Sequence, residues 1–202
     1  MSENNFDSKQ EVIKNILLFF ISNSKYLTEK RLQKLFYIAE IEYIHRFGER
    51  FSNVNFINHK HGMYSFDIKY LLDTLEDDGK ISPVFKKTKD GYDAQFFHSK
   101  KKEIVIELND KRIGLLNEII KKFTFLITQE IIKFAKDTKP FKTTPYGKRI
   151  DLEGYVEECY NNSLSKDKKL VKDIIDSEVD YKEGNFTKFN SCSDLLKHFD
   201  GL

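Results

Sequence analysis

The chain has 202 residues, 40% hydrophobic, 33% charged and 14% aromatic, with nine Gly and three Pro. That length and apolar content suffice for a packed core and exclude collagen-like, low-complexity and wholly disordered classes. The net charge of +2 is uneven: residues 1–172 carry 31 basic and 25 acidic side chains and residues 173–202 carry 3 and 7, so a +6 body joins a −4 tail.

Ile13, Ile16, Leu17 and Phe20 follow helical spacing and predict a first helix from about Ser8 to Ser22. Thr28 is a plausible N-cap for a second, with Leu32, Leu35, Phe36, Ala39 and Tyr43 as its buried stripe and Gly48 as its stop. Ser65 caps a third, which buries Ile68, Leu71, Leu72 and Leu75 and ends at Asp78-Gly79. The period then changes, and Ile81 to Phe85 and Tyr92 to Phe97 read as strands of a hairpin around Lys89-Asp90-Gly91. Pro83 places the first of these at an edge, and Ile104 to Leu108 is a candidate third strand. Helical spacing returns over Ile113 to Phe123 and Ile127 to Ala135, and Pro140 forbids continuation. A short helix around Leu152 to Cys159 and a polar amphipathic helix over 164–180 complete the pattern. The expected fold is mainly α, a compact helical bundle with a small antiparallel β-hairpin or three-stranded sheet (81–108) inserted in the middle. Its domain would occupy 1–163, and 164–202 would form an acidic aromatic tail.

The polar, acidic start of the chain lacks the basic and apolar regions of a secretory signal. The longest apolar run, Ile16 to Ile21, is far shorter than the roughly 20 residues of a membrane span. Cys159 and Cys192 are too few for a disulfide framework and read as reduced thiols. A cytoplasmic protein with no membrane partner is expected.

Candidate chemistry is thin. Glu42 and His45 have the Glu-x-x-His spacing of di-iron helices, but no second such pair exists in the chain. His59 and His61 lack further ligands at zinc spacing. Residues 143–149 around Gly147-Lys148 lack the glycine and hydroxyl of a phosphate loop. No catalytic residue, metal or cofactor is assigned, and a non-enzymatic role is expected. Basic clusters at Lys30-Arg31, Lys34, Lys86-Lys87, Lys100 to Lys102 and Lys166 to Lys169 are interleaved with acids. They leave a nucleic-acid-binding regulator as the alternative to a solvated face.

Leu32-Gln33-Lys34-Leu35-Phe36-Tyr37-Ile38-Ala39, then Gly48, then His61-Gly62-Met63-Tyr64 before a Leu-rich helix, resemble the SocA-like or Panacea domain of bacterial and phage antitoxins. The stretch from Asp137 to Ile150, with Pro140, Phe141, Lys142, Thr143, Gly147 and Ile150, is similar to that family's second signature. His61, Met63 and Phe141 stand where the family usually has tyrosine, proline and tryptophan. The resemblance covers roughly residues 10–160. It implies an antitoxin of a toxin–antitoxin system, with a place in phage defence. Such a protein neutralises a cognate protein toxin by direct binding or as an adaptor to a Clp-type protease. Lys34, Tyr37 and Lys142 are the matched polar-tipped residues, read either as structural or as facing a partner. The tail, with Tyr181, Phe186, Phe189, Leu195, Leu196 and Phe199, is similar to the toxin-wrapping segments of RelB-type antitoxins. It either binds the toxin or docks on the body.

Overall fold

The computed structural model describes residues 3–25, 27–87, 91, 93–100 and 107–184. Helix α1 (Glu3–Asn23) begins five residues before the expected Ser8, because no Gly or Pro interrupts propagation of the helix. Helix α2 (Glu29–Phe47) starts at Thr28, whose hydroxyl accepts from Arg31 N at 3.3 Å, and stops at Gly48 in the left-handed region. Helix α3 (Phe66–Asp77) is capped by Ser65 as its sequence predicts. Strands β3 (Ile81–Lys87) and β4 (Asp93–Ser99) pair antiparallel, with Pro83 opposite Phe97. In a two-stranded ribbon both strands are edges, so the missing proline N–H is tolerated. Of the expected third strand, 104–106 lie outside the described residues, and Glu107 and Leu108 carry no strand.

A second hairpin escapes the periodicity reading. Strands β1 (Ile57–His59) and β2 (Gly62–Tyr64) are three residues each and pair Ile57 with Tyr64 and His59 with Gly62. Gly62 has φ +93°, a conformation that residues with side chains rarely adopt. The rest of the first signature thus bends back over α2.

Helices α4 (Asp110–Phe123) and α5 (Thr128–Lys136) follow, and Pro140 opens the short α6 (Lys139–Thr143). Residues 147–150 then run beside β1: Gly147 N donates to Asn58 O at 2.7 Å, Asn58 N to Lys148 O at 2.9 Å and Ile150 N to Phe56 O at 2.7 Å. The two helices expected at 152–159 and 164–180 are one continuous helix, α7 (Leu152–Glu183). Asn161, Asn162 and Ser163 are weak helix formers but not breakers, so an established helix passes through them.

By internal contacts the chain forms two compact units, Met1–Cys159 and Tyr160–Leu202. No helix of the described residues is long and apolar enough to cross a membrane. The core lies in the first unit and centres on α2. The predicted one-sided stripe on α2 is too narrow: between Leu32 and Ile44 only Glu42 is not buried. Helices α1, α4 and α5 and strands β2 and β4 surround it. Each fully buried Leu or Phe in such a core contributes about 1.5–3 kcal/mol.

A helix enclosed on all sides must satisfy its polar residues internally. Glu40, fully buried, accepts from Arg50 Nε at 2.5 Å, Phe51 N at 3.0 Å, Ser52 N at 3.2 Å and Ser52 Oγ at 2.6 Å. Arg50 also donates to Glu153 of α7 at 2.6 Å and to Val54 O at 2.8 Å. One carboxylate therefore shapes the 50–54 loop and, through Arg50, reaches the first turn of α7. Glu40→Ala leaves Arg50 and two loop amides without their acceptor. It should lower unfolding free energy by about 3–5 kcal/mol in urea titration. A loss below about 1 kcal/mol would show that the loop holds its shape without Glu40.

Candidate functional site

The polar residues of α2 reach outward to separate segments. Arg31 donates to Leu126 O at 2.8 Å and Phe123 O at 2.7 Å, closing the turn between α4 and α5. The Gln33 amide donates to Ser65 O at 3.0 Å and accepts from Ser65 N at 2.9 Å, so it pairs with the start of α3 as a strand would. Lys34, 2% exposed, donates from Nζ to Met63 O at 2.6 Å and holds β2. The Tyr37 hydroxyl lies 2.8 Å from Thr138 Oγ1, which itself donates to Ala135 O. Tyr37 is therefore the donor, and its bond ties the first signature to the second.

For Lys34 and Tyr37 these contacts give the structural one of their two readings a physical basis. Tyr37 is wholly buried, packed edge-on to Phe56 with ring centroids 5.2 Å apart, and burial pushes its hydroxyl pKa up. Lys34 is buried and also lines a cavity beside the β1–β2 hairpin. Lys142 is exposed and pairs with Asp137 at 2.5 Å, holding that carboxyl below its ordinary range. Tyr181 is exposed on α7, whereas Phe186, Phe189, Leu195, Leu196 and Phe199 lie outside the described residues. Glu42 faces Arg46 at 4.0 Å, and His45 pairs with the Tyr155 hydroxyl at 2.5 Å. Cys159 is half-buried, and burial first and Glu158 second push its thiol up, against the hydrogen bond with Tyr155.

The structure also brings together residues that sequence separation had kept apart. A cavity of about 440 Å³ lies between the first turn of α2, the β1–β2 hairpin and strand β4. Helix α2 and its cap contribute Thr28, Glu29, Lys30, Gln33 and Lys34; the hairpin adds His59, His61 and Tyr64; β4 adds Ala94 and Gln95. Lys30 and Lys34 share a face because they are four residues apart on a helix. The His59 and Tyr64 rings stand 5.7 Å apart along the hairpin, and His59 and His61 stand 6.4 Å apart. Tyr64 hydrogen-bonds Glu29. The spacing of Lys30 and Lys34, with His-x-His, was readable; that a glycine-turned hairpin folds them together was not.

Cations crowd this cavity. Burial first, then Lys30 and Lys136, with Glu29 opposing, bring the Lys34 ammonium from 10.5 down to about 8. Lys30, desolvation, Lys60, His59 and Lys34 hold His61 below its ordinary value. The Lys34 shift has a definite sign for stability. Between pH 8 and 10.5 the unfolded chain keeps a proton that the folded chain has lost, so stability rises with pH over that window. Unfolding free energy should climb from pH 8 to about 9.5 in the native sequence and lose that rise in Lys34→Met. Equal slopes would mean that Lys34 keeps an ordinary ammonium.

Comparison with known proteins accords with the geometry that joins the two signatures. The sequence model of one family, described as antitoxin SocA-like, Panacea domain, matches residues 32–142. No curated protein and no solved structure matches the chain. The matched span runs from the first buried residue of α2 to Lys142 of α6. It therefore contains the hairpin and the Tyr37–Thr138 bond, and it exceeds half of the chain. The protein belongs to the SocA-like, Panacea-domain antitoxin family.

Proposed function

We propose that this protein neutralises a cognate protein toxin by binding it directly, and that the toxin docks on α7 beyond Tyr160 together with the acidic stretch 173–202. The reading draws on the family and on one surface. Within the second unit, Tyr160, Leu164, Val171, Ile175 and Val179 are all exposed. At 100° per residue these five fall in a stripe about 100° wide, while the exposed Leu170 and Tyr181 lie off it. Exposed apolar surface of this extent along one helix marks a protein-interaction site. The −4 charge of 173–202 adds complementarity to a basic toxin surface. Lys142, Tyr181 and the tail aromatics Phe186, Phe189 and Phe199, with Leu195 and Leu196, are further candidate contacts in this reading.

Both a stoichiometric inhibitor and a proteolytic adaptor need such a contact. Neutralisation in cells lacking the Clp-type protease separates the two. The product of the adjacent gene, expressed alone and then with this protein, tests the reading itself. Toxicity should disappear on co-expression and return with Val171→Asp/Ile175→Asp or with removal of residues 173–202. Calorimetry should show at least roughly a hundredfold loss of affinity for the doubly substituted protein. Full neutralisation by both variants would move the toxin site onto the first unit.

A further inference from the structure

We propose that the cavity between α2, the β1–β2 hairpin and β4 binds a mononucleotide, with the phosphate held by Lys30, Lys34 and His61 and the nucleoside laid against the His59 and Tyr64 rings. The inference concerns a different surface from the toxin site and stands independently of it.

Charge supplies the first argument. Lys30, Lys34, His59 and His61 line the cavity against the single carboxylate of Glu29, and Lys60 and Lys136 add to the field from outside. Burial first and then Lys30 and Lys136 depress Lys34, Lys30 first depresses His61, and an anion bound beside them would favour their charged forms. An ammonium carries three donors. Among the described residues Met63 O is the one acceptor that Lys34 reaches, so its remaining donors are available to an oxyanion.

Size and lining then narrow the ligand. About 440 Å³ lies within the range that holds small organic ligands, and a bare phosphate would leave most of it to water. The His59 and Tyr64 rings both line the cavity, tilted 42° to each other, so a planar base can stack on one and meet the other at an angle. Glu29, fixed by the Tyr64 hydroxyl, would repel the side chain of an acidic peptide. The same carboxylate accepts hydrogen bonds from a sugar hydroxyl or a base N–H, as acidic residues do in dinucleotide sites. A ligand with an anion at one end and donors at the other satisfies both halves of the cavity.

The test is calorimetry on the full chain at low salt with AMP, GMP, CMP and UMP, with orthophosphate, adenosine and an Asp/Glu-rich peptide as controls. At least one nucleotide should bind with a submillimolar Kd, and phosphate and nucleoside should each bind at least roughly tenfold more weakly. Lys30→Ala and His61→Ala, both at exposed positions, should each weaken it about fivefold or more without shifting the melting temperature. The proposal is overturned if none of the four nucleotides binds at millimolar concentration. It is overturned equally if binding survives Lys30→Ala and His61→Ala combined in one protein, if phosphate alone binds as well, or if the peptide binds in their place.

Discussion

The fold depends on one constraint, that the enclosed middle of α2 carries polar residues whose needs must be met from neighbouring segments. Arg31, Gln33, Lys34, Tyr37 and Glu40 each reach a different piece of chain: the α4–α5 turn, the start of α3, strand β2, the α5–α6 junction and the 50–54 loop. Apolar burial alone would let α2 rotate or slide among alternatives of similar area, because hydrophobic attraction has no direction. Hydrogen bonds from buried donors do have direction, and leaving one unmade costs more than the bond contributes when made. The apolar residues of α2 thus supply the driving force, and its polar residues specify which segments gather around it.

The same arrangement fixes the position of the cavity beside α2. Lys34 anchors β2 with one donor and faces the cavity with the rest, so the shape of that cavity follows from the core. Gly62 lets the hairpin turn tightly over the Lys34 and Lys136 stems, which lie 3.5–3.6 Å from where a side chain would begin. Space is sufficient there; the backbone conformation is what excludes other residues. The second unit has no comparable network among its described residues, and α7 beyond Tyr160 presents apolar side chains to solvent.

What could be read from sequence was local. Thr28, Ser65, Gly48 and Pro140 act on bonds within a few residues of themselves, and each stands where its chemistry places a helix end. The β1–β2 hairpin was missed because three-residue strands contain no measurable period. Tyr37 stays open between a structural and a partner-facing role in the sequence because its partner Thr138 lies 101 residues away. Glu40 gave no signal for a similar reason, since its partners lie in a loop with no regular structure. The cavity was invisible because Lys30, His61 and Gln95 meet only after the hairpin and β4 have packed. The break expected near residue 161 fails on physical grounds, since poor propensity lowers helix stability without ending a helix that has already formed.

Native-state hydrogen exchange of the full chain measures the central role of α2 most directly. If its buried polar residues bind the surrounding segments into one cooperative unit, the amides of residues 32–44 exchange only through global unfolding. Those of 57–64 and 147–150 should then share the same opening free energy. Amides of 32–44 that exchange through a smaller opening than those of α4 and α5 would contradict the account.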